Sequence, residues 1–293
     1  MEELNWGWPI PIYLWAAGVG GGAFFAAFII DRLSGGQNKP LLKLATWIGE
    51  PLVIIGVLLL VVDLGSPLRF WRLFLKFDVL TPMSLGTWIL FLWSVCAVMM
   101  LVLWVAEDLK IEFLAAIAPL TGILSWIAFI LSILMIAYTG VLLSATSVAL
   151  WQGAAVILPI LFVVSAISTG AAVLILGGSM MSESSVSREI IHRLGMADIG
   201  VIVWEAIILA AWILWLFFGS TTAASDAIEH LVSHWTLAVP FWLGVIGLAV
   251  LVPLFLENRA TASRSTALAA LASVCVLVGG LVLRFVVVYG GQL

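Results

Sequence analysis

A long uncharged segment constrains this chain more than any other feature. From Phe113 to Ser182 no residue is charged, and the polar residues that suggest a turn are confined to positions 144–152. Soluble domains are about one quarter charged, whereas a bilayer requires roughly 20 consecutive apolar residues per crossing helix. The whole chain of 293 residues is 64% hydrophobic and only 10% charged. The sequence therefore predicts an integral membrane protein and excludes a soluble globular domain.

Breaks in the apolar pattern divide the chain into eight predicted transmembrane helices. The predicted spans are residues 7–31, 42–64, 84–106, 115–142, 152–178, 196–219, 235–256 and 267–289. They predict an all-α polytopic fold that forms one integral membrane domain over residues 1–293. The division between the fourth and fifth spans is the least clear, because only the polar residues at 144–152 suggest a turn. The uncharged segment is long enough for two long spans, and would hold three only with very short turns. The acidic start at Glu2 and Glu3 is unlike a cleaved signal peptide, so we expect the first span to be retained.

An even number of spans places both chain termini on one side of the membrane. We call this the terminal side; it also carries the loops around 65–83, 143–151 and 220–234. The opposite side, here the basic side, carries the loops around 32–41, 107–114, 179–195 and 257–266, and most of the Lys and Arg residues lie there. Because cytoplasmic loops are enriched in Lys and Arg, the basic side is predicted to be cytoplasmic. The termini would then face the periplasm or exterior of a bacterial or archaeal cytoplasmic membrane.

The segment Asp63–Gly86 joins the second and third predicted spans on the terminal side. It begins with an acid at the end of a span and continues with basic and aromatic residues. Charges at the edge of the hydrocarbon usually mark a binding site, an ion path or a partner surface. Residues 67–78 are predicted to form an interfacial helix with Arg69, Arg72 and Lys76 on one face. This helix is either an anchor in the interface or a platform for another subunit, and the pattern does not decide between them.

Few ionisable residues fall inside the predicted spans. They are Glu50, Asp198, Glu205 and Arg284, with Asp63 at the end of the second span. Buried charges are costly, so they pair with one another or line a wet cavity. Asp198 and Glu205 are seven residues apart and share a helix face. The set predicts either a stepped path for protons or local pairs that hold the helices together, and both interpretations stay open.

All three tyrosines lie near the terminal side: Tyr13 in the first span, Tyr138 in the fourth and Tyr289 at the end of the eighth. Of these, Tyr13 and Tyr138 could share one layer with Asp63 and Arg284. A phenol donates a hydrogen bond without carrying a charge, which suits a quinone carbonyl, although interfacial tyrosine also serves as a membrane anchor. Beyond Tyr13 the glycines at 18, 20, 21 and 22 remove side-chain bulk. These glycines have two possible explanations. They allow a neighbouring helix to pack closely through Gly18 and Gly22, or they leave a space on the helix face into which a flat ring fits.

Other cofactor sites are not expected from this composition. The three histidines, His192, His230 and His234, all fall in predicted loops, whereas haem in a membrane bundle needs ligands from the spans. Cys96 and Cys275 lie far apart in apolar runs, so neither a zinc site nor an iron–sulfur cluster is expected. The composition also argues against nucleic-acid binding. A hydrolase is not expected, because no HExxH or paired His and Ser lies in the spans.

Five stretches of the chain together resemble the NrfD/polysulfide-reductase family of membrane subunits. They are Tyr13–Ala23 (YLWAAGVGGGA), Asp63–Trp71 (DLGSPLRFW), Thr81–Trp88 (TPMSLGTW), Tyr138–Leu143 (YTGVLL) and Leu158–Gly170 (LPILFVVSAISTG). The order of the stretches and the number of spans agree with the family over nearly the whole chain. The block from Asp63 to Gly86 is the most specific of them.

The resemblance implies an eight-helix anchor of two four-helix bundles that binds menaquinone or ubiquinone near the outer face. A family tyrosine that contacts the quinone maps onto Tyr138. A polar contact from the first helix, histidine in some members, falls on Tyr13 here. The same comparison favours Asp63 and Arg69 as the rim of the site. The family docks a ferredoxin-like iron–sulfur subunit, often with a molybdopterin catalytic subunit beyond it.

Two functional hypotheses follow. The first is a quinone-reactive membrane subunit of a respiratory oxidoreductase, without haem or iron–sulfur cluster of its own, that passes electrons between quinone and a partner docked at Arg69, Arg72 and Lys76. The second is a proton-coupled secondary transporter, which buried acids and Gly- or Pro-interrupted spans would also suit. The two halves of the chain show no internal repeat, which favours the first hypothesis.

Overall fold

The computed structural model describes residues 6–63, 81–111, 117–181 and 188–292, and these form helices and turns without a β-strand. Within them, eight helices are long and apolar enough to cross a membrane. They are α1 Pro9–Leu33, α2 Lys39–Asp63, α3 Pro82–Asp108, α4 Leu120–Ser144, α5 Ile157–Met180, α6 Arg188–Phe218, α7 Trp235–Ser263 and α8 Thr266–Gly290. The all-α polytopic membrane fold predicted from the sequence is thereby confirmed. The predicted interfacial segment at 67–78, with Arg69, Arg72 and Lys76, lies outside the described residues.

Two of the helices extend further on the basic side than the apolar runs indicate. Helix α6 begins at Arg188, before the predicted start at 196, and α7 continues to Ser263, past the predicted end at 256. Charged residues marked the sequence breaks, but Arg and Glu are good helix formers and do not end a helix. As a result His192 and Glu257, both placed in loops from the sequence, lie within α6 and α7.

The transmembrane helices pack as two groups of four. In the first, α1 contacts α2 and α4, and α3 closes the ring between α2 and α4. In the second, α5 contacts α6 and α8, and α7 lies against α6 and α8. The two bundles meet mainly where α1 packs along α5. This is the arrangement of two four-helix bundles that the resemblance implied.

The glycines of α1 allow neighbouring helices to approach its backbone. A Cβ atom at Gly20 would lie 2.9 Å from the carbonyl oxygen of Gly49 in α2. At Gly22 a Cβ atom would overlap the carbonyl oxygen of Ala166 in α5, and at Gly18 it would touch the Ala166 side chain. Gly18 and Gly22 therefore form the close helix contact that their spacing allows. The opening for a flat ring is not present along this face, because α5 occupies it.

Contacts on the terminal side hold the two ends of the chain together. The backbone N–H of Trp6 donates to Oε1 of Gln292 at 2.7 Å. The Trp6 ring stacks on Trp151 with 5.1 Å between centroids, and the Trp151 indole donates to the carbonyl of Val287 at 2.8 Å. Two short helices, Ala149–Gln152 and Thr222–Ser233, pack on each other beside these contacts. Trp6 and Gln292, the first and last of the described residues, therefore lie on the same side of the bundles, as an even number of spans requires.

Candidate functional site

Tyr13 of α1 and Tyr138 of α4 face each other inside the first bundle. Tyr13 is fully buried and Tyr138 is 7% exposed. The two phenols interact directly, yet the Tyr13 hydroxyl makes no hydrogen bond of normal length and angle. A buried hydroxyl without a partner costs about 1–3 kcal/mol, so an acceptor for this group is to be expected. The structure thus brings together the two tyrosines that the sequence singled out.

Glycines of two other helices make room for the tyrosine rings. A Cβ atom at Gly86 of α3 would overlap the ring of Tyr138. A Cβ atom at Gly56 of α2 would lie 3.3 Å from the Tyr13 ring. Gly86 closes the TPMSLG stretch that carries part of the resemblance, but no role for it was evident from the sequence. Its role is spatial: α3 presents bare backbone where the Tyr138 ring lies.

Asp63 lies at the end of α2 beside the start of α1. Its side chain is exposed, and a Cβ atom at Gly7 would lie 3.3 Å from its Oδ1. Asp63 and Gly56 are seven residues apart on one face of α2, which places Asp63 roughly 10 Å closer to the terminal side than the Tyr13 contact. Arg69, the other predicted rim residue, lies outside the described residues.

Arg284 of α8 is a buried cation at the junction of the two bundles. It is fully buried and donates to the Oγ of Ser165 and the carbonyl of Phe162 in α5. Its guanidinium also lies 4.8 Å from the centroid of the Phe162 ring. A Cβ atom at Gly18 of α1 would be 3.5 Å from Nη2. Arg284 therefore reaches from the second bundle to the helix that carries Tyr13.

Two acids of α6 follow Arg284 toward the basic side. Glu205 is buried and lies within electrostatic reach of Arg284 and close to Ser165, without a direct ion pair. Asp198 is fully buried about 10 Å further along α6. It faces Ser168 of α5, one helical turn from Ser165. These contacts bring Asp198, Glu205 and Arg284 into one polar row inside the second bundle.

Glu257 of α7 extends this row and was missed in the sequence. It is 2% exposed, and its carboxyl interacts with that of Asp198. None of the four carboxyl oxygens of the two residues makes a hydrogen bond of normal geometry. Two features of the sequence could have indicated this site. Ser165 and Ser168 lie one turn apart in a span without charged residues, and Glu257 follows directly on a very apolar run.

Glu50 does not join the other predicted proton-path residues. It is 3% exposed in α2, and neither carboxyl oxygen has a hydrogen-bond partner. Its nearest polar neighbour is Ser94 of α3, within the first bundle. The predicted set of four is thus divided between the bundles: Glu50 lies in the first, and Asp198, Glu205 and Arg284 lie in the second.

The histidines and cysteines form no metal centre in the part of the chain that the structure describes. His192 lies on α6, whereas His230 is in the short helix Thr222–Ser233 and His234 caps its end. The rings of His230 and His234 stack with 4.5 Å between centroids. Cys96 and Cys275 are both free thiols.

Comparison with known proteins gives full-length matches. The family model described as "Polysulphide reductase, NrfD" matches residues 1–293. "Protein NrfD" of Escherichia coli is 33% identical, with 100% of this chain and 96% of the relative covered. The C subunit of polysulfide reductase from Wolinella succinogenes is also 33% identical, with the same coverage. "Protein NrfD homolog" of Haemophilus influenzae is 28% identical over 99% of this chain and 95% of its own length.

Proposed function

This chain belongs to the NrfD polysulphide reductase family, and on that premise we propose that it is the membrane-anchor subunit of a respiratory oxidoreductase that reacts with quinone. It is a multi-pass membrane protein with eight apolar helices in the described residues. The Wolinella relative is named as one lettered subunit of polysulfide reductase, which supports membership of a complex of several subunits. We propose a bacterial or archaeal cytoplasmic membrane as its location, with the terminal side outward.

The observation that carries the proposal is the Tyr13–Tyr138 pair. The residues present fit a quinone, because the Tyr13 hydroxyl is a fully buried donor that makes no hydrogen bond of regular geometry and a quinone carbonyl is a neutral acceptor. Tyr138 faces the same point from another helix, and Gly86 leaves room for its ring. Menaquinone or ubiquinone, when bound, supplies two-electron and two-proton chemistry. Tyr13 and Tyr138 bind and orient it, and Asp63 and Arg69 form the rim of the site on the terminal side.

A partner on the terminal side would complete the electron path. We propose a ferredoxin-like iron–sulfur subunit, with a molybdopterin or other catalytic subunit beyond it. Arg69, Arg72 and Lys76 would form the docking surface, which follows α2 directly in the sequence. Asp63, at the end of α2, is exposed where this segment begins. The tyrosine pair lies in the half of the membrane nearest to this surface, which keeps the path for electrons short.

The buried ionisable residues are proposed to carry protons to the site. Arg284 lies against Gly18, and Gly18 is five residues from Tyr13 on α1, or about 8 Å along the helix axis. The row of Glu205 and Asp198 continues from Arg284 toward the basic side. Glu50 provides a separate acid in the first bundle. We propose that these groups hold and pass protons between the basic side and the quinone.

Removal of single phenol hydroxyls tests the quinone site. In the assembled complex, Tyr138→Phe should lower quinone affinity several-fold to about tenfold, because one hydrogen bond contributes about 0.5–1.5 kcal/mol. Tyr13→Phe should have a comparable effect if its hydroxyl holds the second carbonyl. Steady-state kinetics with quinol measure both variants.

The matched control is Tyr289→Phe, which removes the same group from a tyrosine that is 37% exposed and stacked on Phe285. It should leave the kinetics unchanged. Wild-type kinetics for Tyr138→Phe in an intact complex would show that Tyr138 does not bind the quinone.

Mild purification distinguishes this function from a secondary transporter. A quinone-reactive subunit should copurify with an iron–sulfur subunit, detected by electron paramagnetic resonance, and with bound quinone in the lipid extract. A transporter would bring neither of them. The outcome decides between the two classes without any mutation.

A further inference from the structure

A cavity of about 250 Å³ lies on the basic side between α6, α7 and α8. Its lining includes charged and titratable side chains from these elements: Arg188, Glu189, His192, Glu257 and Arg264. Gly195 of α6 also faces it, and nothing lies within 4 Å of the position that a Cβ atom would take there. A cavity of this size with charged side chains in its lining has room for several water molecules, since about 30 Å³ is the share of one molecule in the liquid.

Glu257 connects this cavity to the interior of the second bundle. It lines the cavity and is nevertheless 2% exposed, with both carboxyl oxygens unpartnered. On its inner side it meets Asp198, which is fully buried and whose carboxyl oxygens make no hydrogen bond of regular geometry. The pair therefore lies between the cavity and the row of Glu205 and Arg284.

No cation neutralises this pair among the described residues. Asp198 faces Glu257, Ser168 and Glu205, and Glu257 faces Asp198. The buried Arg284 acts on Glu205, and Arg264 acts on Glu189 at the edge of the cavity. Two adjacent carboxylates cannot both be ionised in an apolar environment without a large cost in solvation and repulsion. At least one carboxyl of the pair must carry a proton.

We infer that Asp198 and Glu257 form a proton-binding pair that shares one proton and is filled from the basic side through this cavity. The inference deepens the proposed function, on which it rests for the destination of the proton. From the pair, Ser168 and Ser165 of α5 line the way to Glu205 and Arg284. Asp198 then has a defined role: it is the inner half of a proton-loading site whose outer half, Glu257, borders the cavity.

Chemical modification tests the pair without requiring quinone turnover. A water-soluble carbodiimide attacks protonated carboxyl groups, and peptide mass spectrometry locates the modified residue in the purified complex. At neutral pH Glu257 should be modified although it is buried, and the exposed Glu107 of α3 serves as the reference for access of the reagent. Modification of Glu257 should decline as the pH is raised further. An unmodified Glu257 at neutral pH would overturn the inference.

Two substitutions separate the shared proton from the route to it. In Asp198→Asn the neighbouring acid is gone and no proton can be shared, so the pH profile of Glu257 modification should differ from that of the unmutated complex. Gly195→Leu fills the cavity and should slow modification at least several-fold. Gly200→Leu is the matched control, because its Cβ position on the same helix is also open but outside the cavity lining.

An unchanged pH profile in Asp198→Asn would contradict the shared proton. Equal rates for Gly195→Leu and Gly200→Leu would contradict the cavity as the route. Neither measurement depends on quinone chemistry. Failure of this inference is therefore distinguishable from failure of the Tyr13 and Tyr138 assignment, which is measured by quinol kinetics.

Discussion

At the scale of single residues, the site depends on side chains that are small or unpartnered. Gly86 contributes no functional group, yet α3 could not pass the Tyr138 ring with any larger residue. The Tyr13 hydroxyl makes no hydrogen bond of regular geometry among the described residues, although Tyr138 lies beside it. Both features are local irregularities in otherwise well-packed helices. Natural sequences depart from local packing rules mainly at functional sites.

Gly86→Ala should therefore damage the quinone site more than Tyr138→Phe does. The added methyl group overlaps the ring, so either the phenol or α3 must move from its present position. Quinol turnover in the complex should fall by at least tenfold, whereas a lost hydroxyl alone costs about 0.5–1.5 kcal/mol.

Gly122→Ala in α4 is the control, because nothing lies within 4 Å of its Cβ position. It should leave turnover and stability unchanged. Normal turnover in Gly86→Ala would show that the Tyr138 ring has no fixed place in the site.

At the scale of helices, α1 is the central element of the molecule. It packs on α2 and α4 of its own bundle and on α5 of the other. Small residues allow helix backbones to approach closely in membranes, where apolar side chains gain little by leaving lipid. The glycines of α1 thus hold the two bundles together and set the position of Tyr13 relative to Arg284.

Gly22→Ala should destabilise the protein, because the methyl group overlaps the Ala166 carbonyl in α5. Overpacking of this kind typically costs about 1–3 kcal/mol. Gly200→Ala places the same group in open space and should have little effect. Thermal unfolding of the purified variants in detergent measures the difference. Equal melting temperatures for the two variants would mean that α1 and α5 can move apart to accommodate the methyl group at little cost in stability.

The basic segment after α2 is expected to dock the partner. Replacing Arg69 and Arg72 with Glu should weaken association with an acidic or iron–sulfur subunit more than replacing them with Ala. Each exposed ion pair contributes only up to about 1 kcal/mol, so removal of the charge by Ala should have a small effect. Reversal of the charge by Glu adds repulsion from the partner to the loss of the ion pairs. Copurification under increasing salt measures the change. If the complex survives the double reversal, the segment is an interfacial anchor.

At the scale of the whole molecule, the second bundle offers a polar route from one side of the membrane toward the other. The cavity at His192, the pair of Asp198 and Glu257, and the buried Glu205 and Arg284 follow one another through the second bundle. The tyrosine pair lies at the far end, in the first bundle. The row of Asp198, Glu205 and Arg284 and the proposed quinone site thus lie in different bundles that meet at α1.

The orientation of this route is a prediction of the charge distribution. In a variant without Cys96 and Cys275, a single cysteine at Lys110 should react with an impermeant maleimide only after cells are opened. A single cysteine at Ser220 should react in intact cells. The reverse pattern would place the proposed proton entrance outside the cytoplasm.

The amino-acid sequence by itself determined the membrane fold, the number of helices and the family. In a bilayer every crossing segment must satisfy its own backbone hydrogen bonds and be apolar over a fixed length. That rule is local, so apolar runs reveal the helices one by one. Charge marked the helix ends less well, because Arg and Glu continue a helix past the end of its apolar run, as at Arg188 and Glu257.

Only the tertiary structure decided which residues meet. Tyr13 and Tyr138 are distant in sequence, and their contact depends on how α1, α3 and α4 pack. Glu257 looked like a loop residue, but the packing of α7 on α6 buries it beside Asp198, while Glu50 is left in the other bundle. Such contacts depend on small residues that set the distances between helices, and no local pattern specifies which helix will be the neighbour.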